Sequence, residues 1–139
     1  MQISKIMTTK LITLSLDNTL ADAKALFEQH PIHHIIVLDE HEKLIGLLTD
    51  RDLYKHLSPT IGTYKETHQD QQMLKKKIHL VMTRTIITAT PELTIKEALI
   101  WFDDHHISCL PVISPDNHVL GIISWRDLIK VLAKVQRQG

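Results

Sequence analysis

Two short stretches hold side chains whose types and spacing suit them to act together. Gly46-Leu47-Leu48-Thr49-Asp50-Arg51-Asp52-Leu53 sets a hydroxyl and a carboxylate three residues apart after an apolar run. Gly121-Ile122-Ile123-Ser124-Trp125-Arg126-Asp127-Leu128 does the same 75 positions later. One ionised carboxylate accepts from two adjacent hydroxyls at once, and charge-assisted bonds of this kind are the stronger ones. Thr49 and Ser124 offer a further polar contact. Arg51 and Arg126 add positive charge where a strand passes into a helix, and the free N–H groups of a helix start favour an anionic phosphate. The same Thr-x-x-Asp and Ser-x-x-Asp spacing is also that of a helix capping box. The residues by themselves leave both uses open.

Other side chains with chemical potential give less. Ten histidines invite a metal, but His33 and His34 adjoin on an expected strand and point to opposite faces. His105-His106 fall at an expected helix end, where a cation suits the dipole. No pair has the i, i+4 spacing with a third ligand that zinc requires, so no metal site is expected. Cys109, the one cysteine, sits in an expected core strand and reads as a buried structural thiol. There is no GxGxxG or GxxxxGK(S/T) loop, no nucleophile–base pair and no catalytic pair of carboxylates. No enzyme activity is expected.

The bulk properties argue against a polyanion-binding protein. Lys and Arg number 16 against 16 Asp and Glu in 139 residues, so no field attracts nucleic acid or a charged membrane. No run approaches the ~20 apolar residues of a membrane span, and the N-terminus lacks the long apolar stretch of a signal peptide. A single cysteine suits a reducing compartment. The expectation is a cytoplasmic protein with one compact core.

The elements that position the two stretches repeat with the same step. Residues 3–57 laid without a gap on residues 78–132 give 17 identities in 55 pairs; chance would give roughly three or four, so this is an internal repeat. The first copy spans 1–58, a linker 59–76, and the second copy 77–139. In the first, Ile3, Ile6 and Met7 suggest a short docking turn, followed by a strand at 11–16 and a helix from Thr19, capped with Asp22, to His30-Pro31. Strands at 32–38 and 44–48 form a hairpin about a polar turn, and a helix covers 50–57. The second copy repeats this order: a docking turn at 78–82, a strand at 86–89, and a helix from Thr94 to His106 with Thr94–Glu97 as the better capping box. Strands follow at 109–113 and 119–123, with a helix at 125–137. Part of the linker, 66–75, has helix-forming composition. The fold class is α+β, two tandem β-α-β-β-α units, each too small to bury its own apolar face.

These residues resemble a CBS-domain pair, or Bateman module. The resemblance rests on Met7-Thr8 and Met82-Thr83 at the copy starts, on Thr19…Ala23 and Thr94…Ala98 in the first helices, and on Leu110-Pro111-Val112 in a central strand. The Gly-apolar-apolar-Thr/Ser-x-x-Asp pattern closes each copy. Length and linker are similar to small bacterial stand-alone pairs and to the acetoin-utilisation type. The resemblance implies two copies packed through their sheets about a pseudo-two-fold axis, with two clefts that bind AMP, ADP, ATP or S-adenosylmethionine as a regulatory ligand and no required cofactor. It also implies a homodimer and a separate regulated protein. Asp52 and Asp127 match the carboxylate that takes the ribose, and Thr49 and Ser124 the hydroxyl at ribose or phosphate. By resemblance one cleft joins Thr49, Arg51 and Asp52 to Ile87, Ser108, Cys109 and Pro111. The other joins Ser124, Arg126 and Asp127 to Ile12, His33, His34 and Ile36. Ile36 stands where proline is usual and restores a backbone donor. His34 would reach phosphate only as a cation, giving pH dependence. The alternative from another class is a structural or dimerisation module with non-functional clefts.

Overall fold

A computed structural model describes all residues, 1–139. Its elements are β1 (Thr13–Ser15), α1 (Leu20–Gln29), β2 (His34–Leu38), β3 (Leu44–Thr49), α2 (Asp50–Lys55), α3 (His68–Leu74), α4 (Ile95–His105), β4 (Cys109–Ile113), β5 (Val119–Ser124) and α5 (Trp125–Gln138), with 3₁₀ turns at Ile3–Lys5 and Ile78–Leu80. The fold is α+β, and no helix is long and apolar enough to cross a membrane.

Local chemistry explains most boundaries. Thr19 accepts the Asp22 N–H, and Asp22 accepts the Thr19 N–H at 2.8 Å, a reciprocal cap that starts α1. His30, held extended before Pro31, stops it. The hairpin turns place Glu42 and Asn117 at φ of 61° and 68°, the same position in both copies. In the first, Asp39 accepts from the His41 and Lys43 N–H groups. The linker does form a helix, α3, capped by Thr67 and Asp70; the Thr60 hydroxyl also donates to that carboxylate, which accounts for its burial.

Two expectations need correction. Thr94 accepts from the Glu97 N–H, but Glu97 does not return the bond, so the full box lies at Thr19–Asp22 and not at Thr94–Glu97. The strand expected at 86–89 shrinks to one parallel bridge, Ala89 to Val112. In the first copy β1 pairs with β2 over three residues, Thr13 to Ile36 through Ser15 to Leu38. At the equivalent places the second copy has Pro91 and Pro111, which lack the N–H groups that would extend the ladder on either side. Only the Ala89 N–H to Pro111 carbonyl (2.9 Å) and Ile113 N–H to Ala89 carbonyl (2.8 Å) bonds remain.

Two compact units result: residues 12–86, and residues 1–11 with 87–139. Each takes its docking turn from the other copy's sequence. In the first unit the Ile78 N–H donates to Asn18 and the Leu20 N–H to Lys76. In the second the Ile3 N–H donates to Leu93 and the Ile95 N–H to Met1, all at 2.8–2.9 Å. Leu47 bridges Thr83, and Ile122 bridges Thr8. The core of the first unit includes Leu20, Ala23, Phe27, Ile35, Val37, Leu48, Leu53, Ile78 and Met82. That of the second includes Ile3, Ala98, Phe102, Leu110, Val112, Ile123 and Leu128. Both sheets therefore bury one face against their helices.

Candidate ligand-binding junctions

The two motif stretches fold as strand-to-helix junctions, β3 into α2 and β5 into α5. The motif glycines let the docking segments approach closely. A side-chain carbon at Gly46 would lie 2.1 Å from the Met82 sulfur; one at Gly121 would lie 2.6 Å from the Met7 sulfur and 3.0 Å from the Thr8 carbonyl. The Met-Thr and Gly-x-x-Thr/Ser signals are thus halves of one contact within each unit.

At the first junction His34 pairs directly with Thr49 across β2–β3, so their side chains share a sheet face. That face is opposite the one bearing Ile35, Val37 and Leu48, which α1 and α2 cover. The Asp50 N–H closes the junction on the His33 carbonyl at 3.1 Å. Thr49 Oγ1 accepts the Asp52 N–H at 3.0 Å, but the Asp52 carboxylate makes no return bond to the cap. The residue is partly exposed, and neither carboxylate oxygen is taken up by the cap.

The second junction is built alike and wired differently. Cys109 pairs with Ser124 across β4–β5, and the Trp125 N–H closes on the Ser108 carbonyl at 3.2 Å. Here Asp127 Oδ2 accepts from both the Ser124 N–H (2.8 Å) and Ser124 Oγ (3.1 Å), while Ser124 Oγ accepts the Asp127 N–H. One oxygen of Asp127 is committed to the cap.

The first unit gathers Ile12, His33, His34, Ile36, Thr49, Arg51 and Asp52, and the second gathers Ile87, Ser108, Cys109, Pro111, Ser124, Arg126 and Asp127. Ile36, Cys109 and Pro111 are buried. His33, Arg51, Ser108 and Arg126 are exposed, and the rest are intermediate. Burial pushes the Cys109 thiol up to about 12, so it stays protonated and unreactive. His34 titrates below its ordinary value. Burial is the main cause and neighbouring His33 adds to it, while Asp50 and Asp52 pull the other way. One participant was missed in the sequence. Asp50, read only as a helix start, lies with Oδ2 2.8 Å from His33 Nδ1. The signal was present as an asymmetry, because the equivalent position in the second copy is Trp125. An open depression of about 440 Å³ is lined by Lys24, Tyr54, Leu57, Ser58, Pro59 and Ile61, none of them among the site residues expected from the sequence.

The family model for the CBS domain matches residues 3–59 and 76–134. The chain belongs to the CBS domain family. Both CBS copies contain their motif junction within the matched span. An uncharacterized protein of Methanocaldococcus jannaschii is 30% identical over 145 aligned positions, covering 88% of this chain and 86% of that protein. A crystal structure of a candidate acetoin utilization protein, AcuB, from Vibrio cholerae superposes with a TM-score of 0.80 at 27% identity, covering 100% of this chain and 97% of that one. The CBS domain pair of the protein MJ0100, determined in complex with 5′-methylthioadenosine and S-adenosyl-L-methionine, gives a TM-score of 0.80 at 25% identity over 96% of this chain and 97% of that one. Curated relatives named as enzymes are much longer. The chain spans 21% of the inosine-5′-monophosphate dehydrogenase of M. jannaschii, so the matched CBS part is a minor portion of that enzyme.

Proposed function

We propose that this CBS pair is a regulatory sensor of an adenosine-containing small molecule: AMP, ADP, ATP or S-adenosylmethionine. The observation that carries this reading is the Asp52 carboxylate, held at a strand-to-helix junction beside Thr49 and free of the cap. Two acceptor oxygens there match the adjacent hydroxyls of a ribose. The likeness to a CBS pair holding 5′-methylthioadenosine and S-adenosyl-L-methionine supports the adenosine class. Arg51 and Arg126 supply positive charge near the sugar, and Ile12 and Ile87 supply apolar surface for a base. The regulated protein is a separate chain. The ligand acts on it only by binding one conformation more tightly than another. We place the protein in the reducing cytoplasm, where Cys109 remains a thiol.

A second reading has its own support at the other junction. Asp127 closes a reciprocal capping box, which a purely structural module would also need. Mass spectrometry of small molecules released from the purified protein separates the two. The sensor reading expects an adenosine compound in the released fraction, or a thermal shift when one is added back. No release and no shift with any of the four compounds leaves the structural module.

A further inference from the structure

The two junctions differ in what their helix starts leave open. At the first, the leading N–H groups of α2 already have acceptors within the chain. The Asp50 N–H donates to the His33 carbonyl (3.1 Å), the Arg51 N–H to Asp50 Oδ1 (2.7 Å) and the Asp52 N–H to Thr49 Oγ1 (3.0 Å). A phosphate at a helix start binds through groups of this kind. The other oxygen of Asp50, Oδ2, lies 2.8 Å from His33 Nδ1, so this carboxylate is fixed from two sides. At the second junction Trp125 stands in its place, with no acceptor to take the Arg126 N–H. The charges differ in the same sense. Residues 49–52 carry two acids against one base, whereas residues 124–127 carry one of each. The extra acid reaches the face that bears Thr49. His34 shares that face and is held below its ordinary value mainly by burial, yet Asp50 and Asp52 both pull it upward.

We infer that Asp50 sets the ligand charge at the first junction: it disfavours the phosphate of a nucleotide and selects an adenosine compound whose 5′ substituent is uncharged or cationic, a thioether or a sulfonium. A phosphate brought beside Thr49 would face two carboxylates, and like charges brought together are costly. It would also find the leading N–H groups of α2 occupied. A thioether needs none of those donors, and a sulfonium is attracted by the same carboxylates. The inference rests on the ligand reading above and narrows it at one of the two junctions.

Titration calorimetry of the full chain carrying Asp127→Ala, which removes the carboxylate of the second junction, isolates the first. The probes are 5′-methylthioadenosine and AMP, which share adenosine and differ at the 5′ position. The first is expected to bind at least about tenfold more tightly than AMP. Adding Asp50→Asn strengthens AMP and narrows the ratio to about twofold or less, while 5′-methylthioadenosine binds as before. Asp50→Glu, which retains the charge, keeps the preference. Circular dichroism checks that each variant is folded. AMP bound as tightly as 5′-methylthioadenosine while Asp50 is present overturns the inference and leaves the ligand reading standing. So does a ratio that Asp50→Asn does not alter, or a loss of all binding in Asp127→Ala when the wild type binds. No heat from either probe, from ATP or from S-adenosylmethionine with the wild type overturns both.

Discussion

Asp52 and Asp127 occupy the same repeat position, yet one carboxylate is free and the other is tied into its own helix start. That difference has a measurable consequence for stability. Losing a reciprocal N-terminal cap costs about 1 kcal/mol, so Asp127→Ala lowers the melting temperature by roughly 3–5 °C. Asp52→Ala, which removes no cap bond, lowers it less; scanning calorimetry of both variants makes the comparison, and equal losses would contradict the assignment. His34 gives a second test. Its folded pKa lies below the ordinary value of 6.5 because it is buried. Between these two values the unfolded chain binds the proton more readily, so stability falls as pH drops below about 6.5. His34→Gln flattens this part of the urea-denaturation profile. Asp22, Asp39, Asp70 and Asp116, held low by hydrogen bonds, act in a separate, more acidic window. The Thr/Ser-x-x-Asp spacing announced both junctions in the sequence but not which acid was free. That choice depends on how far each carboxylate turns back toward its own cap, which spacing does not encode. Asp50 escaped notice because its partner, His33, is 17 residues away.

At the level of elements, periodicity and breakers carried most of the reading. β4 occupies the expected 109–113, and proline and polar turns end their elements where expected. The missing strand near residue 88 shows the limit of that reading. Ile86-Ile87-Thr88-Ala89 has strand composition, but extending the ladder needs an N–H from each of the two segments, and Pro91 after Ala89 and Pro111 in β4 both lack one. The crossing of the docking turns was also hidden, because the repeat showed that two equivalent turns exist without saying which copy each one serves. Gly121 now has a defined role in that crossing. Gly121→Ala drives a methyl group into Met7 and the Thr8 carbonyl, a backbone atom that accepts the Ile122 N–H at 2.9 Å. We expect a loss of about 1–3 kcal/mol. Gly46→Ala meets only the flexible Met82 side chain and costs less. Chemical denaturation of both variants checks the order, and a reversed order would contradict the close approach described at Gly121.

For the whole molecule, one sequence element used twice yields two junctions of the same build and different chemistry. His33, His34 and Asp50 of the first copy stand where the second has Ser108, Cys109 and Trp125. The copies have therefore kept a common frame, with capped helices, a motif glycine and a docked Met-Thr segment, while their ionisable surroundings have diverged. The frame is what the repeat made legible, and the divergence is where ligand preference would be set. Titration calorimetry of the intact chain with AMP, ADP, ATP and S-adenosylmethionine, repeated on Asp52→Ala, puts the sensor reading to its sharpest test. Loss of two charge-assisted hydrogen bonds is expected to weaken binding of at least one of these compounds by about tenfold or more. Binding of equal strength in the variant, or no heat from any of the four compounds with the wild type, would contradict it.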